Sequence, residues 1–449
     1  MLGQHDLEVR TLGACPHDSP LAGLLDSRTD SRDYVDEDDR VLYDDTVGRL
    51  AARARGSRGD ARWSDLPGFE PAGPRRRIHF RPDEVRVGIV TCGGLCPGLN
   101  NVIRSLVLEL SLHYGITDVV GFRNGFRGFV AAYDLDVVPL DASVVADINE
   151  DGGSILGTSR GEQDPSEIVD CLQRRGISIL FVIGRDGTMR GAMKIAGVIA
   201  ERDADIAVVG IPKTIDNDIP YVDSSFGFQT AFSRATDSIR AAHVEARAMP
   251  GGVGLVKLMG RHSGFIACYA ALAKNDANLV LIPEVPFSLD GESGVLAHLR
   301  QQVERSGSAV VVVAEGAGQD LLAAARDADS GADASGNARL GDIGAFLRDA
   351  IAADFAERGL ELNLRYIDPS YAIRGVPANP YDSVYCIRLA HAAVHAAMAG
   401  RTEMVVGRWH RRFVHLPMAL AVSERNQVDP GGDLWLSVLE ATGQPPQFG

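Results

Sequence analysis

The run Ile206-Ala207-Val208-Val209-Gly210-Ile211 leads straight into Pro212-Lys213-Thr214-Ile215-Asp216-Asn217-Asp218. An apolar stretch without alternation reads as a strand buried on both faces, as in a parallel sheet. The polar segment then sits at the strand's carboxyl end, where open α/β sheets bind ligands. Asp216 and Asp218, close to a Lys and a Thr, suit phosphoryl transfer. One carboxylate can take the proton of an attacking hydroxyl, the other can help hold Mg²⁺, and the Lys can neutralise a phosphate. Taken alone, the stretch reads equally well as a polar loop after a strand.

Further glycine-rich loops change that balance. Val87-Gly88-Ile89-Val90-Thr91 runs into Cys92-Gly93-Gly94-Leu95-Cys96-Pro97-Gly98 and then the amphipathic helix beginning Val102-Ile103-Arg104. Gly93, Gly94 and Gly98 let backbone approach a phosphate, and the helix start supplies amide donors. Ile179-Leu180-Phe181-Val182-Ile183 delivers Gly184-Arg185-Asp186-Gly187-Thr188 in the same way. Repeated strand-then-glycine units imply a shared nucleotide-phosphate site. Strands and helices alternate from near Val85 to about Asp368, which predicts doubly wound parallel sheets. Val253–Val256, Asn278–Ile282 and Ala309–Ala314 predict a second sheet. A loop is expected over 327–337, and Pro71–Arg77 reads as an arm wrapping a neighbour or the core.

These segments resemble the phosphofructokinases, most of all the plant-type ATP-dependent branch, which shares features with pyrophosphate-dependent members. The resemblance rests on TCGGLCPGLN at Thr91–Asn100, GGSILGTSRG at Gly152–Gly161 and PKTIDND at Pro212–Asp218. It continues in VKLMGRHSGFIA at Val256–Ala267, EGAGQ at Glu315–Gln319 and YIDPSYAIR at Tyr366–Arg374. It covers roughly residues 72 to 420, with the motifs in the family's order. It implies an α/β protein of two Rossmann-like doubly wound domains, with the active site in the cleft between them, plus an N-terminal extension over 1–84. The nucleotide domain is expected over 85–227 and 373–423, and the sugar-phosphate domain over 228–372 and 424–449. It implies a homodimer or homotetramer.

The implied reaction is ATP-dependent phosphorylation of the 1-hydroxyl of fructose 6-phosphate, with Mg²⁺. Asp216 would be the general base, and Arg160, Thr214 and Lys213 would attend the transferring phosphoryl group. Gly93, Gly94, Arg160, Gly161, Gly184, Arg185, Asp186, Gly187 and Thr188 would line the donor site. Phe126 would face the adenine or else be a core aromatic. Asp186 and Asp218 would handle Mg²⁺. The sugar would meet Thr214, Asp216, Asp218, Met259, Gly260, Arg261, Glu315, Tyr371 and Arg374. Arg365 would reach the 6-phosphate from a neighbouring subunit or form a surface salt bridge. Gly187 favours ATP, because a second aspartate there fills the α-phosphate space in pyrophosphate-dependent members; Lys213 points toward pyrophosphate. Sedoheptulose 7-phosphate is an alternative acceptor.

One position departs from the family's GGDG pattern, since Arg185 follows Gly184. If the turn needs torsions that a side chain disfavours, Arg185 obstructs the nucleotide and the chain is a regulatory homologue. If Arg185 swings into the site, it adds positive charge near the phosphates.

Composition sets the remaining limits. The chain has 45 basic and 60 acidic residues over 449, a net charge of −15, which argues against nucleic acid or an anionic membrane as a general partner. No apolar stretch approaches the roughly 20 residues of a membrane span, no basic-then-apolar leader opens the chain, and a cytoplasmic protein is expected. Six scattered cysteines do not suggest a disulfide framework. Cys92 and Cys96 read as loop packing. His391 and His395 share a helix face and, with no carboxylate near them in sequence, read as packed or capped histidines.

Overall fold

The computed structural model describes residues 3–21, 34–48, 50–51, 66–324 and 339–449. The predicted loop over 327–337 lies outside the described residues. The chain falls into two compact units, the first comprising Met1–Thr214, Ile219–Phe226 and Pro380–Glu424, the second Ile215–Asp218, Gly227–Asn379 and Arg425–Gly449. In chain order the principal strands are β1 (Val41–Leu42), β2 (Gly68–Pro71), β3 (Val87–Thr91), β4 (Val119–Phe122), β5 (Val138–Pro139), β6 (Ile179–Gly184), β7 (Ala207–Pro212), β8 (Gly252–Leu258), β9 (Leu279–Leu281), β10 (Ser308–Ala314), β11 (Asn363–Ile367), β12 (Met404–Trp409) and β13 (Arg412–Pro417). The principal helices are α1 (Leu99–His113), α2 (Pro165–Arg174), α3 (Asp186–Glu201), α4 (Phe228–Ala248) and α5 (Pro380–Met398).

The first unit carries a 9-stranded sheet in the order β1-β2-β13-β12-β7-β6-β3-β4-β5. Strands β12, β7, β6, β3 and β4 run parallel, and every residue of β3, β6 and β7 is buried. That is why these strands read as continuous apolar runs. The sheet is not parallel throughout: β5 pairs antiparallel with β4, and β13, β2 and β1 complete the other side antiparallel. Strands β12 and β13 join through His410-Arg411, both in the left-handed region at φ 47° and 66°. Such a turn suits the right-handed twist of a hairpin. Neighbouring helix signals are conventional, as at α2, where Pro165 opens the helix and the Asp164 side chain accepts from Ser166 N–H at 2.9 Å.

The Arg-rich arm packs on its own unit. Arg75 is 1% exposed and pairs with Glu70 at 2.6 Å and Glu37 at 2.7 Å; Arg401 pairs with the same carboxylates at 2.6 and 2.7 Å. Helix α1 supplies the carboxylate that the sequence does not place near the α5 histidines. Glu109, 3% exposed, lies 3.4 Å from His391 and 3.7 Å from His395, while Tyr114 Oη lies 2.9 Å from His395 Nδ1. These histidines are packed residues with polar partners.

The second unit contains the expected second sheet, 4-stranded and parallel, in the order β9-β10-β8-β11. Its core joins Val253, Leu255, Val311 and Val313 of the sheet to Leu347, Ile351 and Phe355 of the helix at Ile343–Glu357.

Candidate active site

Strand register brings three segments of the first unit together. Thr91 lies opposite Ile183 and Gly184 opposite Pro212, so β3, β6 and β7 end level. Cys92 N–H donates to Ile183 O and Lys213 N–H to Gly184 O, each at 2.9 Å. The loops carrying Gly93–Gly94, Asp186–Gly187 and Lys213–Thr214 therefore leave from one sheet edge.

The phosphate-type loop is pinned from several sides. Gly93 and Gly98 have φ of 84° and 99°, which side chains disfavour. Lys213, 1% exposed, donates through Nζ to the Gly94 carbonyl, and a Cβ on Gly93 would stand 3.4 Å from that Nζ. The Lys213 charge thus sits against the loop backbone. Gly93 N–H donates to Ser159 O at 3.0 Å, which sets Arg160 beside the loop; Arg160 and Gly161 are exposed. Thr91 Oγ1 donates to Gly157 O at 2.6 Å. Asn100, 2% exposed, donates to Asp151 O at 3.2 Å and accepts from Ile155 N–H at 2.9 Å. Asn100 stands in the quoted TCGGLCPGLN motif, yet its role in joining two loops is visible only in three dimensions. Thr214 is 1% exposed, and its carbonyl accepts from Ser225 Oγ.

The turn before α3 corrects one expectation. Arg185 has φ −93° and ψ −172°, an extended conformation open to any residue, and it occupies the N-cap of α3. No glycine-only torsion exists there for Arg185 to violate. Gly184 is different: a Cβ would strike the Thr188 side chain at 2.4 Å. Thr188 is 8% exposed and folded over Gly184. Gly187 is exposed, and a Cβ there would meet nothing within 4 Å. Phe126 packs into the core of the first unit. It is 6% exposed and closes on Gly191 so tightly that a Cβ there would come within 2.8 Å.

In the second unit Asp216 and Asp218 are each 2% exposed, with Asn217 between them at φ 56°. Strands β8 and β10 also end level, Leu258 opposite Ala314, so Met259-Gly260-Arg261 and Glu315 leave the same sheet edge. Glu315 N–H donates to Leu258 O at 2.8 Å and Gly316 N–H to Gly260 O at 3.1 Å. A Cβ on Gly316 would lie 2.0 Å from Arg261 O, and one on Gly260 2.5 Å from Ser263 O, so backbone approach dictates both glycines. Burial pushes the Glu315 carboxyl above its ordinary range, and the charge of Asp216 adds to that shift against the pull of Lys257 and Arg261. Arg365 lies on edge strand β11 and pairs with Glu245 at 3.6 Å. Tyr371 is 79% exposed, with the Arg374 guanidinium 4.8 Å from its ring centroid.

Among the described residues no group of three or more His, Cys, Asp or Glu could hold a metal ion. A cation that keeps waters and phosphate oxygens needs only one or two carboxylates. Asp186 is half-buried in the first turn of α3, a carboxylate of that kind in the first unit, and Asp218 is a buried one in the second.

A family model described as Phosphofructokinase matches residues 86–397. The chain belongs to the phosphofructokinase family. An ATP-dependent 6-phosphofructokinase from Amycolatopsis methanolica is 60% identical over 99% of this chain and 96% of its own length. ATP-dependent 6-phosphofructokinase 7 from Arabidopsis thaliana is 48% identical over 85% of this chain and 78% of its own, in keeping with the plant-type resemblance. A solved pyrophosphate-dependent phosphofructokinase from Marinobacter aquaeolei superposes with a TM-score of 0.64 at 20% identity, covering 80% of this chain and 91% of that one. At that identity the superposition establishes the phosphofructokinase fold alone.

Proposed function

We propose that the chain is an ATP-dependent 6-phosphofructokinase, a glycolytic phosphotransferase that converts fructose 6-phosphate into fructose 1,6-bisphosphate. The observation that carries this is the level ending of β3, β6 and β7, which brings glycine backbone, Asp186 and Lys213 to one sheet edge. The names of the relatives from Amycolatopsis methanolica and Arabidopsis thaliana agree with it. Asp216 takes the proton of the sugar 1-hydroxyl as it attacks. The Gly93–Gly94 amides, Lys213 and Arg160 hold the phosphates and meet the charge that develops on the transferring group. Asp186 and Asp218 would hold Mg²⁺, which when bound neutralises charge on the phosphate oxygens. Met259, Gly260, Arg261 and Glu315 receive the sugar, with Glu315 accepting from its hydroxyls.

ATP is the preferred donor because the space around Gly187 is open while its backbone does not require glycine. The extended backbone of Arg185 supports an active enzyme over a regulatory homologue. The cysteines are all free, which fits a cytoplasmic setting. We further propose assembly into dimers or tetramers.

A coupled assay with Mg²⁺ and fructose 6-phosphate, run separately with ATP and with pyrophosphate, tests the reading. Turnover is expected with ATP and is expected to fall by about 10²–10⁴-fold in Asp216→Ala, the span ascribed to a general base. Turnover with pyrophosphate alone overturns the donor assignment. Turnover with sedoheptulose 7-phosphate but not fructose 6-phosphate overturns the acceptor.

A further inference from the structure

The chain segment after β13 passes alongside the loop that carries Asp216. Asn426 N–H donates to Asp218 O at 2.9 Å, and Asn426 Nδ2 donates to Asn217 O at 3.3 Å. Ser263, fully buried, donates through Oγ to Asp216 O at 2.9 Å. Three consecutive carbonyls, those of Asp216, Asn217 and Asp218, are therefore each held by a donor from outside the loop. Between the carboxylates Asn217 adopts φ 56°, a left-handed conformation that costs free energy and persists where its surroundings fix it.

The donors are themselves tied down. Gln427 Nε2 donates to His262 O at 2.8 Å, linking the segment to the turn that presents Ser263. Val428 N–H and Gly264 N–H both donate to one oxygen of Glu284, at 2.8 and 2.9 Å. The Glu284 carboxylate thus staples residue 428 to residue 264, with Asn426 and Ser263 just ahead of each. All these residues belong to the second unit. Asn426 lies beyond residues 86–397, which the family model matches.

We infer that Ser263 and Asn426 are positioning residues for phosphoryl transfer: they clamp the carbonyls of 216–218 so that the Asp216 carboxylate is held in the geometry of a general base. This rests on the assignment of Asp216 as that base. A displacement of about 1 Å in a reacting group can cost on the order of 10²-fold in rate. Hydrogen bonds to backbone carbonyls, which leave both carboxylate side chains to the chemistry, are a means of preventing it.

The full chain is tested as Ser263→Ala, Asn426→Ala, the double variant, and Asn426→Asp, which keeps the size of Asn426 but replaces its amide donor with oxygen. The expected result is a kcat about tenfold lower in each single variant and more in the double, with fructose 6-phosphate KM changed less than about threefold. Active-site titration should find the same active fraction as wild type. Asn426→Asp should fall at least as far as Asn426→Ala, whereas a packing role leaves it near wild type. Hydrogen exchange of the peptide spanning 212–219 is the readout that needs no turnover, and it should quicken in the double variant while the melting temperature moves by only a few degrees. Unchanged exchange, a double-variant kcat within about twofold of wild type, or a loss that matches the loss of active fraction would each overturn the inference. If wild type itself does not turn over fructose 6-phosphate with ATP, the functional reading fails, and the exchange experiment still decides whether the clamp exists.

Discussion

At Gly187 the surroundings leave the residue choice to the ligand. A Cβ there meets nothing within 4 Å and φ is not positive, so neither packing nor torsion asks for glycine. An aspartate in the first turn of α3 suits the helix dipole. Gly187→Asp should therefore fold normally, with a melting temperature within about 2 °C of wild type, as expected for a surface change. Its negative charge would stand against the donor phosphates, and a penalty of roughly 3 kcal/mol lowers kcat/KM for ATP about a hundredfold. Steady-state kinetics with ATP beside a thermal melt checks this; unchanged ATP kinetics would mean that the donor does not pass Gly187. Glu315 provides the pH-dependent counterpart. Its carboxyl is raised by burial and then by Asp216, so its stabilising contribution is complete below the unfolded value near 4.3 and is lost as pH rises through the raised value. Glu315→Gln carries no such charge, so its stability relative to wild type should be higher at pH 8 than at pH 4. Urea midpoints of both proteins at the two pH values measure the sign.

At the scale of elements, β2 is attached by charge as much as by its ladder. Glu70 accepts from Arg75 and Arg401, each at 2.6 Å, and lies 3.2 Å from His415 Nδ1. Burial opposes ionisation of Glu70, but hydrogen bonding and charge from His415, with Arg75 and Arg401, outweigh it and hold the carboxyl well below its ordinary range. Its contribution is therefore present above the unfolded value near 4.3 and is lost as pH falls through the depressed value. Glu70→Gln removes the carboxylate that these buried guanidiniums share, and a loss of about 3–5 kcal/mol is expected by urea denaturation near neutral pH. A loss under about 1 kcal/mol would mean that Glu37 alone suffices for both arginines. The parallel strands were legible because burial on both faces leaves a continuous apolar run, and their glycine loops were legible because special torsions and close approaches demand glycine. The β12–β13 hairpin was not, because His410 and Arg411 occupy left-handed positions where Asn or Gly would normally advertise a turn. Nor was the hold of Asn426 on 217–218, since hydrogen bonds between distant segments leave no periodicity in either.

Across the whole molecule, charge and thiols tell the same story of local arrangement within an unremarkable composition. A net charge of −15 coexists with a phosphate-type loop braced by Lys213 and flanked by Arg160, so chain-wide negative charge is compatible with a local place for a small anion. Phe126 and Arg365 carry the same lesson for site residues: residue type and neighbours in sequence left each with two roles, and the fold buries the first in a core and places the second on an edge strand beside Glu245. The cysteines are all free, with Cys15 half-buried and the other five buried. Burial pushes the Cys92 thiol up to about 12 and raises Cys268 and Cys386 as well, which suppresses the reactive thiolate. Only Cys15 should therefore react with Ellman's reagent in the folded chain, and it should do so slowly for a thiol, because burial raises it too. The five buried thiols should react only after urea is added. Dithiothreitol should leave the melting temperature unchanged within about 1 °C, since losing a native disulfide typically costs 2–5 kcal/mol and none is present to lose. Rapid modification of several thiols in the native protein would require the buried clusters around Cys92 and Cys268 to open on the timescale of the reagent, and a reductant-dependent melt would require a disulfide that the folded chain does not contain.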